Sequence, residues 1–205
     1  MTITFPLTLP STPKLKSFSL TANNVVAKST SPFTLTMQVY KHPGQQWMAT
    51  FETAPMTLAQ ANAWKAFLVS LNGPYGTFLA GDPDNLAPRG VATGTPLVDG
   101  AAQTGAVLNT KGWTTGVTGI LLAGDMIQIG NFMYMVLADT NSNGSGLAAV
   151  DVWPNLRASP ADGAAIIISN TKTRWRLDKN SVMWRTDSLH LTSLTFNALE
   201  DVGSS

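Results

Sequence analysis

The stretch that most constrains the fold is residues 121–156, LLAGDMIQIGNFMYMVLADTNSNGSGLAAVDVWPNL. Three short apolar runs follow one another in it: Met126–Ile129, Phe132–Leu137 and Leu147–Trp153. The pair Gly130-Asn131 and the polar segment 139–146 separate these runs, and both have the composition of turns. The pattern predicts an antiparallel meander of three strands. Because so apolar a meander is unstable alone in water, we expect the flanking residues to close it into a sandwich or barrel.

The composition favours a subunit of an assembly. Charged residues make up 12% of the 205 residues and apolar residues 44%, whereas a typical soluble domain is about 25% charged. A surface with so little charge is poorly protected against association. The length allows one all-β domain or two small ones.

The composition argues against several functional classes. The formal net charge is +1 and no run of Lys or Arg occurs, so sequence-specific nucleic-acid binding is not expected. Cysteine is absent, which excludes disulfides and thiolate metal sites. No apolar run reaches the roughly 18 residues that a membrane helix needs, and the first twenty residues lack the pattern of a signal peptide. We therefore expect synthesis in the cytoplasm, with no membrane insertion.

The first third of the chain predicts a proline-rich extended arm or edge strand over residues 1–16, followed by a hairpin. Strands are predicted over 18–27, 33–40 and 46–52, from the alternation of polar and apolar residues. The segment His42-Pro43-Gly44 is predicted to form the turn between the last two strands.

One amphipathic helix is predicted, over about residues 57–72. Thr57 is the expected N-cap, with Gln60 completing a capping box. Apolar residues then recur at helical spacing: Ala61, Trp64, Leu68 and Leu71. The pair Gly73-Pro74 should end the helix, and a strand is expected over 75–80.

Two changes in composition indicate an inserted domain. The segment GDPDNLAPRG (81–90) has the residues of a boundary, and residues 170–172 form a second one. Strands over 173–177, 182–185 and 189–198, with a bulge near Thr192-Ser193, resemble the first third of the chain. We therefore predict one β-rich domain from residues 1–86 and 172–205, with a small closed barrel, residues 87–171, inserted at an exposed loop.

Two longer strings resemble a known family. These are QWMATFETAPMTLAQANAWKAFLVSLNGPYGTFLAGDP (46–83) and AGDMIQIGNFMYMVLADTNSNGSGLAAVDVWPNLR (123–157). The first resembles the tryptophan strand, helix and glycine-rich turn of siphophage distal tail proteins. The second, with Gly124-Asp125 and the Pro154–Arg157 ending, is similar to the barrel segment of their short form, as in the T5-like protein. The resemblance covers roughly residues 46–170.

This resemblance implies a structural virion protein of the tail tip, or baseplate, without enzymatic activity and without a cofactor or metal. The split β-sandwich domain would form a homohexameric ring around a channel for DNA. The inserted barrel, similar to an OB-fold, would decorate the outside. The ring would join the tail tube protein to the hub and anchor tail-tip or fibre proteins.

A basic and aromatic cluster near the C-terminal end is the candidate interface or channel surface. Its members are Arg174, Trp175, Arg176, Trp184 and Arg185. Arginine and tryptophan are enriched at the centres of interfaces. Arg174 and Arg176 should share one face of a strand, opposite Trp175. The alternative interpretation is an ordinary solvated strand face.

A carbohydrate-binding module that recognises a receptor is the first functional alternative. Barrels of the OB type bind oligosaccharides, and Trp113, Tyr134 and Trp153 could contact a glycan. Such aromatics are more often core or interface residues. Lys111 and Arg157 are the basic residues of 91–171, too few for a groove that binds single strands.

An enzyme of the tail tip, a glycosidase or peptidase, is the second alternative. Its turnover of cell wall would be lost on mutating Asp82, Asp84 or His190. Neither His42 nor His190 lies in a nucleophile motif, which favours a structural interpretation of both. Asp82 and Asp84 lie in a Gly-Pro segment where turns use aspartate. The segment starting at Asp139 begins like a calcium loop but has Val150 where the bidentate glutamate belongs, so it is predicted to be a turn.

Overall fold

The computed structural model describes residues 3–203, and this part of the chain is mainly β with one α-helix. The elements in chain order are β1 (Leu7–Thr8), β2 (Leu15–Thr30), β3 (Met37–Thr53), α1 (Leu58–Ser70), a 3₁₀ turn (Gly73–Tyr75), β4 (Phe78–Ala80), β5 (Gly94–Val98), β6 (Val107–Trp113), β7 (Met126–Ile129), β8 (Phe132–Val136), β9 (Ala148–Trp153), β10 (Ile166–Ile167), β11 (Thr173–Leu177), β12 (Trp184–Thr186) and β13 (Thr192–Glu200). One sheet curves into a half-barrel and the other into a nearly closed barrel, which confirms the predicted fold class.

The half-barrel has the strand order β1-β4-β11-β13-β3-β2, with β12 paired to the side of β13. Its centre is aromatic, and Phe51 is the ring that the others surround. Phe196 stacks on Phe51 with a centroid separation of 4.9 Å, and Trp175 meets it edge-on at 6.0 Å. Aromatic pairs at these distances stabilise a core beyond their buried area.

The small barrel has the strand order β10-β7-β8-β9-β6-β5. It closes where Val98 in β5 exchanges backbone hydrogen bonds with the segment before β10: its N–H donates to Ala164 O (2.9 Å) and its carbonyl accepts from Gly163 N (2.9 Å). The strands of the barrel all lie within residues 94–167, and those of the half-barrel within 7–80 and 173–200. Sheet membership therefore changes inside the two segments whose composition changes.

The meander is apolar on both faces because it lies between two cores. In β7 and β8, Ile127 and Tyr134 point into the barrel, whereas Met126 and Met133 pack into the core of the half-barrel. This explains why β7 has no exposed position. The three predicted strands are all present, so the meander prediction is confirmed.

Helix α1 packs against the core of the half-barrel. The Thr57 N–H donates to Gln60 Oε1 at 3.1 Å, as the capping box predicts. Trp64 and Leu68 are buried against the aromatic core. The helix ends at Ser70, and Asn72 and Gly73 both adopt positive φ (52° and 67°). The helix prediction is confirmed, with its ends one or two residues inside the expected limits.

The predicted turn at His42-Pro43-Gly44 is wrong. β2 and β3 form one continuous hairpin from Leu15↔Thr53 to Thr30↔Met37, and the turn lies at residues 31–36. Pro43 has no N–H for the ladder, and the pairing accommodates it as a bulge: residues 42–44 stand opposite Val25. A Cβ at Gly44 would lie 2.8 Å from Val25 Cγ2, so glycine suits the bulge.

The strand predicted over 189–198 corresponds to β13, which starts later than predicted, at Thr192. Residues 187–191 form a turn in which Asp187 Oδ1 accepts the N–H groups of Leu189 (2.9 Å) and Leu191 (2.8 Å). The change from odd to even apolar positions therefore marks the end of a loop, and the bulge predicted near Thr192-Ser193 is replaced by this turn. The strand predicted over 75–80 is likewise shortened to β4 by the 3₁₀ turn before it.

Candidate assembly surface and sheet junction

The outer part of the β2–β3 hairpin, residues 25–44, projects from the half-barrel; we call it the arm. β13 pairs with β3 only from Met48 to Glu52, so the arm has two strands and no third one beside it. Its large apolar side chains are exposed: Val25, Val26, Phe33, Leu35, Met37, Val39 and Tyr40. A two-stranded hairpin is marginally stable alone in water. The arm is thus the part of the described chain whose apolar surface most needs a partner.

One face of the arm is both apolar and basic. Cross-strand pairing places six side chains on it: Val26, Lys28, Thr30, Met37, Val39 and Lys41. On the other face the Tyr40 ring meets His42 edge-on at 4.8 Å. The segment 25–44 contains no Asp or Glu, so Lys28 and Lys41 give the arm a net positive charge.

The tip of the arm is a well-defined loop that presents apolar side chains outwards. The Ser31 N–H donates to Thr36 O (2.9 Å), and the Leu35 N–H donates to Ser31 O (3.0 Å). The Ser31 hydroxyl accepts the N–H groups of Phe33 and Thr34. Phe33 is 94% exposed and Leu35 77% exposed, and Leu35 adopts φ 57°. A leucine in left-handed conformation at an exposed tip is an unusual feature that points to function.

The Arg174–Arg176 cluster forms contacts within the chain. Trp175 is 0% exposed, and its Nε1–H donates to Ala80 O at 2.9 Å. The prediction that Trp175 belongs to an interface or channel is therefore wrong, since the alternation of β11 turns it into the core. Arg174 and Arg176 do share the opposite face, where Asp201 contacts Arg174 Nε at 2.6 Å and Arg176 Nε at 3.1 Å.

Arg176 also donates from Nη1 to the carbonyls of Pro74 (2.9 Å) and Tyr75 (2.6 Å). The Arg174 guanidinium lies 5.9 Å from the centroid of the Phe132 ring. These partners tie β11 to the 3₁₀ turn and to the barrel. Their role in a subunit contact stays a prediction.

Trp184 and Arg185 lie on β12 at the surface. Trp184 is 44% exposed, and Lys65 Nζ lies 5.5 Å from its ring centroid. Arg185 is exposed. β12 is a short strand at the margin of the half-barrel, so both residues are accessible to a partner chain.

Glu200 lies at the junction of the two sheets, and the sequence interpretation missed it. Its side chain is fully buried at the end of β13, and its Oε2 contacts Arg157 Nη2 at 2.6 Å. Oε2 also accepts the Trp47 N–H (3.2 Å), and Oε1 lies 3.4 Å from Thr173 Oγ1. Burial raises the pKa of Glu200 even though Arg157 and the hydrogen bonds oppose the shift. The signal was present: Leu194, Phe196, Ala198 and Glu200 alternate along one face of β13.

Other hydrogen bonds fasten the same junction. Trp47 Nε1–H donates to Met133 O (3.0 Å), and the Asn155 N–H donates to Gln45 Oε1 (2.7 Å). The Lys172 N–H donates to Gln128 Oε1 (2.7 Å). Each bond joins the half-barrel, or the segment leading into it, to the barrel, so the two sheets are cross-linked at several points.

Asp125 secures the entry into the barrel. Its side chain is fully buried, and it accepts the backbone N–H groups of Arg89 (2.9 Å), Gly90 (3.1 Å) and Leu122 (2.8 Å). Burial by itself raises the pKa of Asp125, but the three backbone donors and the nearby Arg89 together outweigh it and lower the pKa. The Gly124-Asp125 pair therefore fixes the conformation of the boundary segment (81–90).

The aromatic residues proposed for glycan contact are mostly internal. Trp113 is 4% exposed and donates from Nε1 to Thr110 Oγ1 at 2.7 Å. Tyr134 is 2% exposed, its hydroxyl accepts the Arg157 N–H (3.1 Å), and burial raises its pKa. Neither ring has a face open for a sugar to stack on, so their prediction as glycan contacts is wrong. Both occupy inward positions of barrel strands.

Trp153 lies in the groove between the sheets and is half-buried. Its ring meets Trp47 edge-on at 4.3 Å, and its Nε1–H donates to Asn24 Oδ1 at 2.9 Å. It lines an open, largely apolar cavity of about 460 Å³ at the base of the arm, which we call the base cavity. The residues around it are Leu20, Ala22, Asn24, Trp47, Asp82, Met126, Met135, Leu137 and Trp153.

The candidate catalytic groups lie in three different local structures. His42 lies on the arm, whereas His190 is in the 187–191 turn with φ 60°. Asp82 accepts the Asp84 N–H (2.9 Å) and an Asn85 amide hydrogen (2.9 Å), as expected of a turn aspartate. Within residues 3–203 no group of three or more His, Asp or Glu side chains could hold a metal ion. The side chain of Asn143 caps the N–H groups of Ser145 and Leu147, as the turn prediction for this segment requires.

Comparison of the chain with protein-family models gave no match, and comparison with curated proteins gave none either. None of the helices between residues 3 and 203 is long and apolar enough to cross a membrane.

Proposed function

We propose that this chain is a structural subunit of a siphophage tail tip. Copies of it would form a six-membered ring that joins the tail tube to the hub or baseplate and leaves a channel for DNA. The single observation that carries the proposal is the arm, a projecting hairpin whose apolar side chains have no cover within the described chain. Exposed apolar surface of this kind marks interaction sites.

The junction between the sheets supports the same function. A ring that transmits load between a tube and a hub needs subunits whose parts do not slide. The buried Glu200–Arg157 pair and the hydrogen bonds of Trp47 and Gln45 hold the barrel against the half-barrel. The barrel then offers a fixed outer surface on which tail-tip or fibre proteins could attach.

The low charge of the chain also fits an assembly subunit. With 12% charged residues, little electrostatic repulsion opposes contact between copies. A contact between unlike surfaces of identical copies is heterologous and generates a ring when the rotation closes. In this proposal the chain catalyses no reaction, and its function is geometric.

Native mass spectrometry of the purified full chain, with negative-stain electron microscopy of the same sample, tests the proposal. We expect a discrete hexamer and a ring with an open centre. Antibodies raised against the chain should label the distal end of intact tails of a phage that encodes it. A strict monomer at all concentrations, together with labelling elsewhere on the virion or none, would contradict the proposal.

A further inference from the structure

We propose that the arm tip of one copy, Phe33 with Leu35, inserts into the base cavity of the next copy. This inference rests on the proposed function, because it names the contact by which the ring would be built. It commits to a second copy of this chain as the occupant, and four observations support it.

The first observation is that tip and cavity are complementary in polarity. Phe33 and Leu35 project from a loop whose backbone groups are bonded to Ser31. The cavity walls are mainly apolar and include Trp47, Trp153 and Leu137, the last of which is 51% exposed. Its volume of about 460 Å³ is within the range of sites that bury a small apolar group.

The second observation is that the tip cannot fill the cavity of its own chain. Leu20 lines the cavity and lies on the same strand as Thr30. Thr30 lies ten positions beyond Leu20 on this extended strand, a distance of roughly 33 Å at about 3.3 Å per residue. Because β2 and β3 remain paired along this length, the arm does not fold back on its own base. An arm tip that enters this cavity must therefore belong to another copy.

The third observation is the sign of the charges. The arm carries Lys28 and Lys41 and no acidic residue. The base cavity has Asp82 on its lining and no lysine or arginine. A second groove, beside the N-terminal segment, is lined by Lys14 and Lys16 against the single carboxylate of Asp84, so its charge suits a basic arm less well. Charge complementarity therefore favours the base cavity.

The fourth observation is the symmetry of the contact. Tip and cavity lie at opposite ends of one hairpin, so each copy has one of each, and the contact is heterologous. Such a contact uses every arm and every cavity once in a closed ring. It would also cover the apolar face of the arm along the neighbouring subunit.

Cysteine cross-linking of the full chain tests this contact, because the natural sequence has no cysteine. Copies carrying Phe33→Cys are mixed with copies carrying Leu137→Cys and oxidised. We expect a covalent dimer of one copy of each kind, and a ladder up to the closed ring from the variant with both changes. Val69→Cys, on an exposed position of α1, replaces Leu137→Cys as the matched control and should give no specific product.

A second variant separates the contact from the wider proposal. Phe33→Asp should abolish assembly while leaving the circular dichroism spectrum of the monomer unchanged, whereas Leu189→Asp, at another exposed apolar position, should leave assembly intact. If the wild type forms rings that survive Phe33→Asp and give no Phe33–Leu137 cross-link, the tip-to-cavity contact is overturned while the proposed ring stands. A wild type that does not assemble, together with Phe33→Cys and Leu137→Cys variants that do not cross-link, overturns both. Wild-type binding to anionic vesicles that Phe33→Asp removes, without contact between copies, would show that the arm docks on lipid instead.

Discussion

The outer half of β3 belongs to the arm and its inner half to the sheet junction, yet the two halves treat apolar surface in opposite ways. Trp47 and Phe51 on the inner half of β3 are buried under partners from both sheets. Met37 and Val39 on the outer half of the same strand are exposed. The change from exposed to buried side chains along β3 occurs within a few residues, at the bulge of Pro43 and Gly44. The comparison teaches that one strand can serve a core at one end and an interface at the other.

The largest expected effect is in the aromatic core. Trp175→Ala would remove a fully buried side chain that contacts Phe51 and bonds to Ala80. We expect the free energy of unfolding to fall by about 3–5 kcal/mol, measured by urea denaturation. Trp184→Ala is the matched control at an exposed position and should cost under about 1 kcal/mol. Equal losses for the two variants would contradict the placement of Trp175 in the core.

The next effect concerns the charged pair of the junction. Arg157→Met would leave Glu200 buried without its partner, and breaking such a pair costs about 3–5 kcal/mol at neutral pH. Because the mutant can protonate Glu200, the loss should shrink as the pH falls. Urea denaturation across pH 4–8 measures both quantities, and the double variant with Glu200→Gln should recover part of the loss at neutral pH.

The wild-type chain should show a related pH dependence. Since burial raises the pKa of Glu200 in the folded state, the folded chain holds this proton more tightly than the unfolded chain. The contribution of Glu200 is therefore present below its ordinary pKa and is lost as the pH rises through its folded-state pKa. Glu200→Gln should remove this part of the stability profile. An unchanged profile would show that Glu200 does not titrate in the folded state as described.

A smaller effect of opposite sign is expected at Asp125. Its pKa is lowered, so its contribution is present above the ordinary pKa of aspartate and is lost as the pH falls through the folded-state value. Asp125→Ala would leave buried N–H groups of Arg89, Gly90 and Leu122 without this acceptor, at a cost of about 1–3 kcal/mol. Thermal unfolding at neutral and acidic pH measures the loss, which should be larger at neutral pH. Asp151→Ala, at an exposed position, is the control.

The smallest effect on stability is expected at the arm tip. Phe33→Asp changes a side chain that is 94% exposed, so the monomer should keep its free energy of unfolding within about 0.5 kcal/mol. Urea denaturation at a concentration where the chain is monomeric checks this. A loss as large as that of Trp175→Ala would mean that the tip packs within its own chain, and the contrast between arm and junction would disappear.

The sequence predicted the structural elements that depend on residues close together in the chain. The meander follows from the turn chemistry of Gly130-Asn131 and residues 139–146, and α1 from Thr57 and Gln60. Which strands pair with each other could not be predicted in the same way. A proline and a glycine at 43–44 form a turn or a bulge depending on which strands lie on either side. The position at which the hairpin turns is set by the cross-strand register, which no local pattern around Pro43 encodes.

The candidate site was predicted least well, for a physical reason. Trp113, Tyr134 and Trp175 carry polar atoms, so composition cannot separate a buried aromatic with one hydrogen bond from an exposed one. Alternation could have placed Trp175 and Glu200 inward, because Leu177 lies two residues after Trp175 and Ala198 two residues before Glu200. The arm was missed because the turn at His42 would have shortened it. In the structure the hairpin extends to residue 31, so Val39 and Tyr40 lie beyond the part of β3 that pairs with β13.

Hydrogen exchange of the full chain, followed by mass spectrometry, tests the central claim most directly: that the arm is stabilised by other copies and the junction by its own chain. Wild-type rings are compared with the Phe33→Asp variant. The account predicts that amides of residues 25–41 are protected in the ring and exchange rapidly in the variant, while amides of residues 47–53 are equally protected in both. Arm amides that exchange at the same rate in the two samples would contradict it.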